Sequence, residues 1–303
     1  MDLSVVIVSY NTKEVLSDCL KTVKSAIQNL KSEVFVVDNS SHDQTVKMIK
    51  KDFPWVKLIA NKKNLGFSKA NNQAIKKSNG KYILILNPDT KVLNDTFSKM
   101  IDFMEKSPEV AVSTCRVELL DGSLDPDCRR SFPTPWRSFT HFSGLSKIFK
   151  GSKIFDQYNM GYLSEEKEQE VDACVGAFMM VRRTAVDKVG LFDEDFFFYG
   201  EDLDWCWRFG EKGYKIMYTP ITKIIHYKGA SSGIKKGSQE VSKATAESKR
   251  KALVESTRAM TLFYEKHFKD KYPFFITWLV LIIISIVKQI RLFGIRGSTP
   301  IRG

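Results

Sequence analysis

Four short apolar runs divide the first ninety residues, and each ends in a polar cluster: Leu3–Ser9 (LSVVIVS), Val34–Val37, Val56–Ala60 and Tyr82–Leu86 (YILIL). The first, second and fourth read as strands buried on both faces, the kind found in parallel sheets covered by helices, and Val56–Ala60, which carries Lys57, reads as a third strand between them. The segments between them change period. Val15, Leu16, Leu20, Val23 and Ile27 share one side of a helix capped by Thr12 and running to about Gln28. A second helix follows His42-Asp43 and ends before Pro54; a third follows the Asn64-Leu65-Gly66-Phe67 turn, carries Ala70, Ala74 and Ile75, and stops at Gly80. The order β-α-β-α-β-α-β predicts parallel strands joined by right-handed crossovers.

The pattern loosens beyond Asp89. Asn94 caps a helix to about Lys106, and Val110–Val117 reads as a strand. Residues 128–169 are basic and aromatic first and acidic last, which suggests a loop and helix insertion over the crevice. Val171–Val181 reads as a strand pair broken at Gly176, followed by a short helix to Val189. The aromatic run Phe196–Tyr199 leads into a helix over 201–212 with Leu203, Cys206, Trp207 and Gly210 at helical spacing. Tyr214–Tyr218 and Lys223–His226 are read as two strands, and one charged helix is expected from Ser238 to about Lys269. The expected division is a catalytic domain over 1–236 and a helical extension over 237–303.

Composition adds partners rather than fold. With 43% hydrophobic and 27% charged residues the chain reads as globular, and its 303 residues suffice for one large α/β domain or two small ones. A net charge of +12 and a pI near 9.3 suit an anionic partner: nucleic acid, nucleotide phosphates or an acidic membrane surface. The five cysteines have no CxxC spacing, and no signal-peptide pattern opens the chain. A reduced, cytosolic protein without a zinc site is expected.

Candidate chemistry lies where apolar runs stop. Asn87-Pro88-Asp89 halts the fourth strand, because Pro88 has no N–H for a ladder, and delivers a carboxylate to the strand's carboxyl end, where open α/β sheets keep their ligand crevices. Ser9, Asn11, Asp38 and Asp43 fall on the same edge. Asp38 is placed to accept from the imide N–H of uracil or thymine; helix capping is the plainer role for Asp38 and Asp43. Asp89 and His226, with two diphosphate oxygens, would make an octahedral site for Mg2+ or Mn2+. Glu201, Asp202 and Asp204 crowd a helix start. Carboxylates suit that position through the helix dipole, and Asp202, kept ionised there, suits a general base. Arg129, Arg130, Trp136 and Arg137 are candidates for clamping phosphate and stacking on a base or sugar, against the plainer role of a solvated basic loop. Neither GxGxxG nor GxxxxGK[ST] occurs at the first strand.

Six blocks, VVIVSYN, VVDNSS, NLGFSKANN, ILILNPDT, VGAFMMVRR…VGLFDEDFFFYGEDLDWCWRFGEKGY and IIHYKGASS, occur in this order and together resemble family 2 glycosyltransferases, most closely their bacterial rhamnosyltransferase-like branch. The resemblance covers roughly Leu3–Gly233. It implies a GT-A fold, a mostly parallel Rossmann-like sheet flanked by helices. It also implies inverting transfer of a sugar, a rhamnose-like deoxyhexose favoured, from a dTDP- or UDP-linked donor to a glycan or polyprenyl-linked acceptor in cell-surface polysaccharide synthesis. Carried across, Asp38 resembles the base-recognition aspartate and Asp89 the metal-binding end of a DxD motif whose first Asp is here Asn87. Asp202 resembles the catalytic base, with Glu201 as fallback, and His226 a metal-ligating histidine. Ser9, Asn11, Asn64, Gly66 and Asn87 are expected around the donor, and Gly176, Tyr199 and Trp205 near the substrate. Two rival readings use the same crevice: a nucleotide-sugar-binding protein without turnover, and a nucleotidyltransferase, whose Gly-rich basic loop is here SYNTKE. No nucleic-acid partner is expected.

Phe274–Val287 (FFITWLVLIIISIV) is 14 residues without a charge. As a helix it is roughly 21 Å long, short of the ~30 Å hydrocarbon core of a bilayer. It is apolar nearly all round, and basic residues flank it: Lys266, Lys269 and Lys271 before, Lys288, Arg291, Arg296 and Arg302 after. A buried core helix is one reading; a helix lying shallowly in the cytoplasmic leaflet, beside a lipid-linked acceptor, is the one preferred.

Overall fold

The computed structural model describes residues 1–228 and 246–296. Its centre is a nine-stranded sheet in the order β3-β2-β1-β4-β8-β6-β9-β5, with β7 paired to β9. The first half follows the sequence pattern closely. Strands β1 (Leu3–Ser9), β2 (Ser32–Asp38), β3 (Lys57–Ala60) and β4 (Tyr82–Leu86) are parallel and are joined by α1 (Lys13–Ala26), α2 (Thr45–Asp52) and α3 (Phe67–Ile75). Every residue of β1 and of β4 is buried. Apolar side chains covered on both faces explain why these runs lack a polar alternation.

Beyond β4 the sheet is mixed. β8 (Phe178–Arg182) runs antiparallel to β4 and to β6 (Val110–Glu118), while β9 (Lys215–His226) runs parallel to β6. The two expected strands at 214–218 and 223–226 are one. Its register against β6 slips between Tyr218 and Lys223, so Pro220 falls where the ladder is already irregular and no central hydrogen bond is lost. Of the expected strand pair over 171–181 only β8 forms as a strand; the two-residue β7 (Gln169–Glu170) precedes that stretch and pairs with β9. Strand β5 (Thr90–Val92) carries no apolar run and escapes sequence reading; it pairs antiparallel with the end of β9, Thr90 opposite His226.

Two adjacent arginines bind the layers together. Arg182 donates to the Met104 and Ser107 carbonyls at the end of α4 (Thr96–Lys106). Arg183 does the same at the end of α3, reaching the Ile75 and Gly80 carbonyls and Ser78 Oγ. Cations at helix C-termini satisfy the last carbonyls and oppose the dipole.

The insertion holds α5 (Pro135–Phe142) and α6 (Leu145–Ile148); α7 (Arg183–Val189) and α8 (Glu201–Glu211) follow. The long helix α9 (Ala246–His267) packs Leu253, Ala259 and Phe263 inward, and α10 (Phe274–Arg296) packs on α9. The expected helix start at Ser238, the 236/237 division, the end of the last motif block and Arg302 lie outside the described residues.

Candidate functional site

Asp89 and His226 meet because β5 meets β9. The Thr90–His226 pairing, with the Tyr227 N–H donating to the Asp89 carbonyl, sets His226 Nε2 3.4 Å from Asp89 Oδ1. That Oδ1 is buried and accepts no hydrogen bond. On its other side His226 Nδ1 lies 2.9 Å from Asp125 Oδ2. A carboxylate there accepts a hydrogen bond from Nδ1–H and turns Nε2 toward Asp89, the usual support of a metal-binding imidazole. Burial works against charge on His226, but Asp89 first and Asp125 with it outweigh burial and raise its pKa to about 9. Asp125 also receives Lys228, which reaches Asp127 at 2.5 Å. A divalent cation fits an orphaned buried carboxylate oxygen facing an imidazole nitrogen. Among the described residues no group of three or more His, Cys, Asp or Glu is assembled to hold a metal, so this chain would supply two ligands and leave the rest to donor oxygens or water.

Asp125 and Lys228 were not anticipated. Their signal in the sequence is Asp125-Pro126-Asp127, one residue before the Arg129-Arg130 pair. Asp125 caps a short 3-10 turn over Pro126–Cys128, and five residues beyond that cap Arg130 reaches α8. Arg130 Nη2 lies 2.5 Å from Asp202 Oδ2, both side chains buried. One loop therefore touches the metal-type pair at one end and the candidate base at the other.

The three carboxylates at the start of α8 have separate fates. Asp202 accepts from Arg130 and, through Oδ1, from the Leu203 N–H, which leaves lone pairs for a substrate hydroxyl. Asp204 faces away, binding Arg208 at 2.8 Å and His267 of α9 at 2.9 Å. Glu201 Oε2 is buried without a partner. Burial, then the Asp202 charge, push its carboxyl from 4.5 up to about 8. Protonated at neutral pH, Glu201 is no proton acceptor, which favours Asp202 for that task. Just before them Tyr199 and Gly200 both have positive φ, +72° and +83°. A non-glycine residue held there stores strain of ~1–3 kcal/mol, as active-site turns do.

The nucleotide edge is built differently. Asp38 is buried; Oδ2 accepts the Ser41 N–H and Oδ1 has no partner. An orphaned acceptor suits an imide N–H. Asp43 is structural: it accepts the Lys13 and Thr45 N–H groups and so caps α1 and α2. Thr12, expected to cap α1, instead pairs its hydroxyl with Ser9. Asn11 has φ +53° and accepts the His42 N–H, tying the β1 loop to the β2 loop. The Asn39 amide, missed in the sequence, binds Asn64 and the Gly66 carbonyl. Gly66 has φ +87°, and a Cβ on it would lie 2.6 Å from the Phe197 carbonyl oxygen. Only glycine permits that approach, which seats the α3 turn against the aromatic run. Asn87 is half-buried, its backbone N–H on the Ala177 carbonyl. Gly176 is buried, facing the Phe67 ring.

Three expected contacts are corrected. Trp205 is fully buried between Phe192 and Phe209 with its indole on the Gly190 carbonyl, so it is core and meets no substrate. Its indole fills the space between α8 and the turn after α7, where Phe192 and Phe209 enclose it. Arg129 is committed to the Leu163 and Ser164 carbonyls over the Tyr218 ring, and Arg137 to Asp172. Neither is available as a phosphate clamp. Trp136 is exposed on α5, its indole donating to the Ile154 carbonyl.

Comparison with known proteins matches residues 4–190 to the model of a family described as glycosyl transferase family 2. The chain is 28% identical over 242 residues to an N-acetylglucosaminyl-diphospho-decaprenol L-rhamnosyltransferase of Mycobacterium tuberculosis, covering 76% of this chain and 78% of that protein. It is 26% identical to rhamnosyltransferase WbbL of Escherichia coli strain K12, covering 74% and 82%. Among solved structures it superposes on a mannosyltransferase, PcManGT from Pyrobaculum calidifontis in complex with GDP-Man and Mn2+, with a TM-score of 0.57, 15% identity and 97% and 73% coverage. It also superposes on residues 1–349 of TarS from S. aureus in complex with UDP, with a TM-score of 0.51, 17% identity and 89% and 72% coverage. The fold is GT-A.

Proposed function

We propose, starting from the fact that the chain belongs to glycosyl transferase family 2 and is a glycosyltransferase, that it moves a rhamnose-like deoxyhexose, with inversion, from a dTDP- or UDP-linked donor to a hydroxyl of a lipid-linked glycan. Cell-surface polysaccharide synthesis is the setting that reading implies. The observation that carries it is the unsatisfied Asp89 oxygen facing His226, one loop away from an Arg-paired, buried Asp202. The two rhamnosyltransferase relatives support the sugar, and the decaprenol-linked substrate in one relative's name supports the lipid.

Asp38 would take the imide N–H of the base, which turns the donor so that its diphosphate runs toward Asp89. Asp89 and His226 would hold a divalent cation, Mg2+ or Mn2+, whose chemistry is to neutralise charge on the departing diphosphate. Asp202, oriented by Arg130, accepts the acceptor hydroxyl's proton as that oxygen attacks the anomeric carbon from the face opposite the leaving group. A single displacement inverts the anomeric centre. Substrate positions for Tyr199 and Gly176 belong to this reading.

Helix α10 supports a membrane-bound site. Its Phe274–Phe293 stretch has a mean hydropathy of 2.0 with 6% of the window buried, and it is the one helix among those described long and apolar enough to cross a bilayer. The helix lies along the body: Thr277 pairs with Tyr264 near its start and Arg291 stacks on Phe142 near its end. That placement favours a helix in the plane of the cytoplasmic leaflet, the location proposed here.

The test uses detergent-free vesicles carrying a polyprenyl-diphosphate sugar and a panel of radiolabelled nucleotide sugars. Label should reach the lipid from a deoxyhexose donor, stop in EDTA and return with Mg2+ or Mn2+, and Asp89→Ala should need far more metal or be inactive. Nucleotidyl transfer, binding without transfer, or full activity in EDTA would each overturn this reading.

A further inference from the structure

Helix α5 is turned inside out. Trp136, Phe139 and Phe142 face solvent at 45, 53 and 44% exposure, while Thr140 is fully buried. The same inversion continues through α6, where Ser146 is buried while Ile148 is 73% and Phe149 48% exposed, and it extends to Ile154 at 58%. Six large apolar side chains cannot be outside by default when polar neighbours are inside, and patches of this kind mark contact surfaces. They form one surface: Trp136 lies 6.0 Å from both Phe139 and Phe155, and Phe149 stacks on Phe155 at 4.8 Å.

We infer that residues 135–155 form a second membrane-contacting surface, which dips into the headgroup and upper acyl region of an anionic bilayer beside α10. Charge names the partner. Residues 128–155 contain no Asp or Glu, and Lys147, Lys150 and Lys153 are exposed among the apolar side chains. Aromatics with interleaved lysines are the composition of interfacial segments, the lysines drawing the segment to anionic lipid. Continuity says the same. Arg291 of α10 sits 5.6 Å over the Phe142 ring, so the exposed face of α5 and that of α10 adjoin. The inference deepens the membrane reading of α10 and rests on it. It adds that the loop holding Arg130 against Asp202 leads directly into a lipid-immersed segment, so the base is held close to the bilayer surface.

All five native cysteines are buried, so an introduced surface cysteine is labelled selectively. Full-length Ile148→Cys and, separately, Ile283→Cys on α10 would carry a polarity-sensitive fluorophore, with Lys51→Cys as the distant control. Added to vesicles of phosphatidylcholine with one part in three phosphatidylglycerol, labels at 148 and 283 should brighten severalfold and be quenched by nitroxide lipids, while 51 stays unchanged. A response at 283 without one at 148 would overturn this inference and leave the α10 reading standing. No response at either would remove both. Brightening at 148 in buffer alone that grows with protein concentration would mean that a second copy covers the surface. As an independent check, Ile148→Ser with Phe149→Ser should weaken partitioning roughly tenfold while leaving the thermal midpoint unchanged; unchanged partitioning would also overturn the inference.

Discussion

Asp202 and Glu201 are adjacent, alike in chemistry and opposite in circumstance. The guanidinium of Arg130 sits on Asp202; Oε2 of Glu201 is buried without a partner. Asp202→Asn should therefore fold, bind donor and lose ~10²–10⁴-fold in transfer rate, the usual size of a general-base contribution. Wild-type turnover would remove Asp202 from the mechanism. Glu201 makes a prediction about stability. Its folded pKa, about 8, exceeds the ordinary 4.5. Between those values the native state holds a proton that the unfolded chain has released, so native stability falls as pH rises through the window and levels off above it. Glu201→Gln removes that dependence. Denaturant midpoints should nearly coincide for the two proteins at pH 4.5, and the variant should lead by at least ~1 kcal/mol at pH 8. A difference that does not change with pH would show that Glu201 is ionised throughout.

At the scale of elements, what could be read from sequence follows burial. β1 and β4 were legible residue by residue because both their faces are covered, and a continuous apolar run has no other reading at that length. β5 was not, since Thr90-Lys91-Val92 has no apolar signature and exists because β9 offers it a partner. The site divides in the same way. Asp38, Asp89, Asp202 and His226 stand at the ends of legible elements, while Asp125, Asn39 and the pairing of Arg130 with Asp202 depend on loops that meet only in three dimensions. Trp205 shows the reverse error: it stands three residues from Asp202, and its ring is nevertheless wholly taken up by the core. Helix α10 supplies this scale's prediction. With so little of it buried, a chain ending at Tyr272 should keep its far-ultraviolet dichroism and donor affinity, leave the membrane fraction, and still glycosylate a short soluble acceptor. Unfolding or aggregation of that chain would make the helix part of the core.

Considered as a whole molecule, α9 is the member that joins chemistry to anchorage. Its Ala259 lies against Gly200, at the turn that aims Glu201 and Asp202, where a Cβ on Gly200 would come within 3.2 Å. Its His267 grips Asp204, and its Lys266 pairs with Asp193 and Asp195. In that same last turn Tyr264 holds α10 through Thr277. A reacting centre bolted in this way to its own anchor has one altitude. If α10 rests in the leaflet, the protein measures acceptors by how far their hydroxyls stand above the lipid, as a ruler would, and need not inspect every sugar between. Lipid-linked acceptors carrying one, two and four sugars should then differ at least tenfold in transfer rate at the same terminal residue, and the same glycans cut from their lipid should not. Equal rates across the lipid-linked series would mean that the distance is not fixed.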